Sequence, residues 1–241
     1  MRKTMLGIMA ATALTSAGCG RAHGEEDNSP QASRSYPVGQ FDKVELAGAY
    51  NVTIATGKAP SVSAVGSEKA LERMVVEVEG GVLKIHPEKH RGFSFGWSRS
   101  KPVRLTITTQ NLAGAELAGS GDINIDRVQG ESFDGSVAGS GDLRIAQIDV
   151  QRLKMEIAGS GSAQAAGRSR EADYGIAGSG DIKAANVASE TAKVSIAGSG
   201  NVTGQATRTA SVDIMGSGNV RLTGGAQCKI SKAGSGNVDC S

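Results

Sequence analysis

Along much of this chain apolar residues return at every second position, and the phrase that holds them returns about every twenty residues. Its plainest form is Ile196-Ala197-Gly198-Ser199-Gly200-Asn201-Val202. Gly-Ser-Gly recurs with its first glycine at Gly119, Gly139, Gly159, Gly178, Gly198, Gly216 and Gly234, in steps of 20, 20, 19, 20, 18 and 18 residues. With that glycine as zero, positions −4 and −2 hold Met155 and Ile157, Tyr174 and Ile176, Val194 and Ile196, and Val212 and Ile214. Positions +4 and +6 hold Ile123 and Ile125, then Leu143 and Ile145. Alternation with a period of two means half-buried β-strands. A fixed longer period means stacked coils. The pattern predicts an all-β fold, a single-stranded parallel β-helix (β-solenoid) with 18–20 residues per coil. Antiparallel hairpins turning at Gly-Ser-Gly fit less well, because tight hairpins favour Asn-Gly or Asp-Gly.

The same parity turns both glycines inward, where the missing side chains allow a sharp bend or a close approach between coils. Serine at +1 and Asp or Asn at +3 then face outward. The remaining residues of each coil are mixed and polar, as in Gly167-Arg-Ser-Arg-Glu171, and read as a return loop. Position −6 runs Phe133, Leu153, Ala172, Ala192, Ala210, Cys228 while the coils shorten, which predicts a narrow, tapering core.

Before the regular coils, Phe41 to Ile54 is a degenerate repeat with Gly48-Ala49-Tyr50-Asn51 at its corner. Ser61–Val65 reads as a strand, and Glu68–Met74 as a short helix with Ser67 as N-cap. Val75–Glu79 and Val82–Ile85 read as a hairpin across Gly80-Gly81, and Pro102–Thr108 as another strand. The order Phe41-Asp-Lys-Val-Glu-Leu46, Val75-Val-Glu-Val78, Gly81-Val-Leu-Lys-Ile85, Val103-Arg-Leu-Thr-Ile-Thr108, then repeated Ala-Gly-Ser-Gly-Asp, resembles the GIN domain, the head of autotransporter adhesins. The resemblance runs from about Tyr36 to the C-terminus. It implies an exported bacterial protein with a β-helix-like fold and an adhesive role.

The chain begins with a positive Arg2-Lys3, a short apolar stretch Met5–Leu14, and small residues Thr15-Ser16-Ala17-Gly18 before Cys19. This is a signal peptide over residues 1–18, too short to span a membrane. Its end resembles a bacterial lipobox, with Ser16 where Leu is more usual; ordinary cleavage leaving a soluble protein is the alternative. Acylation of Cys19 would make the protein a lipoprotein held to a membrane by its anchor, and Gly20 rather than Asp favours the outer membrane. Residues 19–35 read as a flexible tether, and residues 36–241 as the head domain. Once the leader is removed, 24 basic residues balance 24 acidic ones, which argues against a nucleic-acid partner. With Cys19 given to lipid, Cys228 and Cys240 remain at −6 and +6 of the last coil and are expected to form a disulfide; two buried thiols are the other reading.

Chemistry is sparse. The outward +3 column reads Asp122, Asp142, Ser162, Asp181, Asn201, Asn219, Asn237. Stacked carboxylates repel, so Asp122 and Asp142 must be screened, bonded to turn N–H groups or bridged by a cation, while the asparagines can form an amide ladder. A polysaccharide-active β-helix enzyme is the competing reading, but no His or Arg partner or cleft is evident for this pair. His86 and His90 flank Pro87 and do not share a helical face. Neither a catalytic residue nor a metal site nor a cofactor is assigned. Arg91, Phe93, Phe95, Trp97 and Arg99 concentrate three of the eight aromatic residues between cations. They read either as a loop covering the core or as a patch contacting a glycan, an envelope protein or a membrane. The expectation is a non-enzymatic cell-envelope lipoprotein that adheres or scaffolds through the outer faces of its solenoid.

Overall fold

A computed structural model describes residues 29–88 and 102–241. The first half contributes β1 (Gln31–Tyr36), β2 (Lys43–Gly48), β3 (Asn51–Thr56), β4 (Ser61–Ser67), α1 (Glu68–Glu72), β5 (Met74–Glu79), β6 (Val82–Pro87) and β7 (Arg104–Thr109). The stack continues through β8 (Gly114–Gly119), β9 (Asp122–Gly139), β10 (Asp142–Gly159), β11 (Ser162–Gly178) and β12 (Asp181–Gly198). It ends with β13 (Asn201–Gln205), β14 (Thr209–Gly216), β15 (Asn219–Thr223), β16 (Gln227–Ala233) and β17 (Val238–Cys240). Every coil pairs with the next in parallel, one repeat out of step, so Leu143 lies on Ile123 and Ile157 on Val137. This is a parallel β-solenoid of about six turns; the antiparallel alternative is absent from the regular coils.

Two walls meet at the Gly-Ser-Gly corner. One runs β7–β3–β9–β10–β11–β12–β13–β15–β17 through the residues that follow each corner. The other runs β6–β2–β8 and on through the residues that precede each corner to β14 and β16. The return side was expected to be loop, and in the long coils it is strand. β9 and β10 continue without a break for 18 residues each. Val128, Ile148 and Val187 are buried there, enough apolar surface to keep the return in the ladder. In the 18-residue coils the return becomes a short turn, at Ala206-Thr207-Arg208 and Gly224-Gly225-Ala226.

The core is continuous from Phe41 to Leu222. Its expected taper is offset from within. Where positions −6 and +6 shrink to Ala172, Ala165 and Ala184, the −4 column grows to Met155 and Tyr174. Tyr174 is fully buried, and its ring reaches the space that a side chain at Gly204 would take, 3.3 Å from an added Cβ. Volume is thus traded between columns, as close packing requires.

The N-terminal end is sealed by a segment inserted between the first two coils. β6 lies on β2, and β7 on β3, forming a cap coil beyond the first one. β5 adds to β6, β4 to β7 and β1 to β4, all antiparallel. The hairpin turns at Gly80 and Gly81, whose φ values of 56° and 81° suit a tight turn. α1 starts as expected, with the Ser67 hydroxyl accepting the Ala70 N–H at 3.3 Å. It ends earlier than the sequence suggested, at Glu72, because Met74 is already the first residue of β5. The stretch read as tether also needs correction. Gln31–Tyr36 is a strand, captured by the open edge of β4 despite its polar sequence, so the described domain starts there rather than at Tyr36.

Candidate functional site

Each corner is a contact between glycine backbones. Gly139, at φ 131°, carries a carbonyl that accepts from Ser160 and Gly161 of the next coil at 2.9 and 3.0 Å. A Cβ on Gly159 would stand 2.4 Å from that same oxygen. Only the second glycine of each pair is fully inward: Gly161 is buried, and an added Cβ would also strike Val137 at 2.8 Å. The first glycine is half-buried and faces the preceding corner along the stack, not the core. The corner can therefore approach its neighbour closely, and it holds the outward +3 column in fixed register.

That column is a hydrogen-bonded ladder. Ser162 Oγ donates to Asp142 Oδ1 at 2.6 Å, and Asn201 Nδ2 to Asp181 Oδ1 at 2.9 Å. Asn219 Nδ2 donates to Asn201 Oδ1 at 2.9 Å, and the backbone N–H of Asn237 to Asn219 Oδ1 at 3.2 Å. The repelling pair has its cation, and it is a side chain that sequence reasoning missed. Arg144 Nη2 lies 2.5 Å from Asp142 Oδ2, and its Nη1 lies 3.9 Å from Asp122 Oδ1. Arg144 occupies +5, one outward step beyond Asp142, so writing the repeats in columns would have found it. The carboxylates thus hold the stack together and do not flank a cleft.

Other outward charges pair between coils. Arg168 forks onto Asp149 at 2.8 and 2.7 Å, and this hydrogen bonding holds the Asp149 carboxyl below its ordinary range. Arg208 meets Glu190 at 3.1 Å, and Arg152 meets Glu131 at 2.8 Å. Inside the core, Ser169 and Ser189 are buried and bond each other at 2.9 Å. The neighbouring Tyr174 hydroxyl is buried with no hydrogen-bond partner of good geometry. Burial pushes its phenol well above the ordinary value, and the nearby Ser189 hydroxyl acts in the opposite direction without reversing the shift.

On the wall that precedes the corner lies an open groove of about 680 Å³. Its sides are the outward columns at −7 and −5: Thr191, Thr209 and Gln227 on one, Lys193, Ser211 and Lys229 on the other. Ala192, Ala210 and Cys228 form the floor, and Glu171 and Asp173 stand at its upstream end. Nothing in the sequence reading pointed to it, because each wall residue belongs to a different coil.

Cys228 and Cys240 form the expected disulfide, with Cα atoms 6.6 Å apart. It ties the ends of the two walls together in the coil where the return side stops. Lys232, at −2 of this coil, donates to the Gly236 carbonyl at 2.8 Å. Among the described residues, no three metal-ligating side chains cluster, and no helix is long and apolar enough to cross a membrane. His86 bonds the Pro87 carbonyl at 3.0 Å and faces Glu77 at 3.4 Å. His90, Cys19 and the segment holding Arg91, Phe93, Phe95, Trp97 and Arg99 lie outside the described residues.

Solved structures share this architecture. A structure described as a putative adhesin from Bacteroides fragilis superposes with a TM-score of 0.83 at 24% identity, covering 90% of this chain and 100% of that one. One described as a putative lipid binding protein from Parabacteroides distasonis gives 0.72 at 25%, covering 89% and 98%. A putative adhesin from the same species gives 0.65 at 20%, covering 90% and 99%. No curated protein matches. The family model described as "putative auto-transporter adhesin, head GIN domain" matches residues 40–226, from just before the first coil to the turn before the last, and the chain belongs to that family.

Proposed function

We propose that this protein is a non-enzymatic head domain of the cell envelope, anchored through lipid on Cys19, that attaches to an envelope partner or glycan through the outer faces of its solenoid. The observation that carries the reading is the commitment of the outward carboxylates. Asp142 is held by Ser162 and Arg144, Asp149 by Arg168, and Glu190 by Arg208. Glu171 and Asp173, the two acids that reach the groove, stand only at its upstream end, and along its length Thr191, Thr209 and Gln227 face Lys193, Ser211 and Lys229 with no acid on either side. A glycosidase needs carboxyl groups on opposite sides of the scissile bond. A stack of fixed columns offers many weak contacts at regular intervals, which is what attachment requires.

The test uses the full-length protein in three measurements. Cys19→Ser should release it from membranes and abolish fatty-acid labelling; labelling that survives would sink the anchor. The purified protein should bind envelope extracts, and absence of binding to any fraction would sink attachment. Incubation with a panel of polysaccharides should yield no new reducing ends; their appearance would establish an enzyme instead.

A further inference from the structure

The groove carries a spacing as well as a shape. Its columns are in register across coils, with Thr191 beside Thr209 beside Gln227, and Lys193 beside Ser211 beside Lys229. Neighbouring coils stand about 4.8 Å apart, so Lys193 and Lys229 lie about 10 Å apart on one line. That is the advance of two sugar rings along an extended polysaccharide. The hydroxyl and amide groups of the opposite column repeat at half that distance, one for each ring. Lys154, earlier in the same column, is neutralised by Glu156 at 3.0 Å. Lys193 and Lys229 make no ion pair among the described residues, and both are exposed. The floor is backbone, because Ala192, Ala210 and Cys228 turn their side chains toward the core, and it lacks the aromatic anchors that a protein partner would use.

We infer that this groove binds an acidic polysaccharide with a carboxylate on alternate sugars. The carboxylates lie over Lys193 and Lys229, and sugar hydroxyls bond Thr191, Thr209 and Gln227. Glu171 and Asp173 close the upstream end to a third carboxylate, so the groove holds a short stretch in one position. The inference rests on the attachment reading and names the class of partner for it.

Titration calorimetry of the full-length protein, with its disulfide intact, tests this. The probe is hyaluronan oligosaccharide, with carboxyl-reduced hyaluronan and polyglutamate as comparisons. Hyaluronan should bind, and the carboxyl-reduced form and polyglutamate should each bind at least ten-fold more weakly. The double variant Lys193→Gln/Lys229→Gln should weaken hyaluronan at least ten-fold, whereas Lys183→Gln, on the other wall, should change nothing. Glu171→Gln/Asp173→Asn should tighten binding. No binding of hyaluronan, equal binding of the reduced form or of polyglutamate, or indifference to the double variant would each overturn the assignment. Envelope attachment that persists in the double variant would leave the attachment reading standing without this groove.

Discussion

Coil β12 and the coil ending in β17 are spelled almost alike, yet they stand in different surroundings. In mid-stack, Val194 and Ile196 are buried and Gly198 is pressed against the Gly178 corner. In the last coil Ile230 occupies the −4 position of Val194 and is 49% exposed, and Cys228 and Val238 are only half-buried. The same motif is core in one place and edge in the other. A repeat here has little stability of its own; it draws on the neighbour at each side, and the last coil has a single neighbour plus a disulfide.

The comparison breaks most visibly at the corner glycines. Gly198→Val places a side chain at φ 135°, with its Cβ 2.1 Å from the Gly178 carbonyl. We expect a loss of about 2–4 kcal/mol in urea unfolding, the sum of a lost permissive backbone site and overpacking. Gly234→Val meets an equally tight contact, 2.0 Å from Gly216, yet should cost less than half as much, because the last coil can fray alone. Equal urea midpoints for the two variants would refute the contrast.

Next in size is the disulfide. A loop of this length is stabilised by about 3 kcal/mol at most. Reduction should therefore release hydrogen-exchange protection in Gln227–Ala233 and Val238–Cys240 while β10 and β11 keep theirs. Uniform loss along the stack would mean that the coils unfold as one unit.

The buried hydroxyls sharpen the view of the middle. Ser189→Ala leaves Ser169 unpaired inside the core and should cost about 1–3 kcal/mol, whereas replacing both serines by alanine should cost less than the single change. Tyr174→Phe removes a hydroxyl that lacks a good partner and should be neutral or slightly stabilising in the same urea assay. A large loss for Tyr174→Phe would show that the hydroxyl is bonded after all.

The smallest effect belongs to Arg144→Gln. Exposed ion pairs contribute well under about 1 kcal/mol, so the loss should be slight at low salt and vanish as salt screens Asp122 from Asp142. A loss that is independent of salt would mean that Arg144 acts by packing.

What the sequence made legible follows from these same forces. The coil period, the two walls and the closing disulfide were readable because Ile, Val and Leu alternate around an invariant corner. The return side was not, because Gly130 and Gly167 and the buried Ser169 and Ser189 interrupt its alternation. Those residues belong inside for reasons of space and mutual bonding, which hydropathy does not register. β1 was missed because Ala32 and Tyr36 alone mark its inward side, and the β4 edge does the rest. Arg144 and the groove are relations between coils, visible only once residues twenty apart are set side by side.

The inserted cap has a consequence for how long this molecule is free to be. One end of the stack is finished by β4–β7, the other by the bridge between Cys228 and Cys240, and neither device touches the coils between Asp122 and Gly198. Those coils require of a neighbour only a matching corner and matching columns. Duplication or deletion of a whole coil would therefore move the two ends by about 4.8 Å and leave both seals intact. Length in this architecture is a countable quantity: the distance between the two sealed ends can change in unit steps without any redesign of either seal.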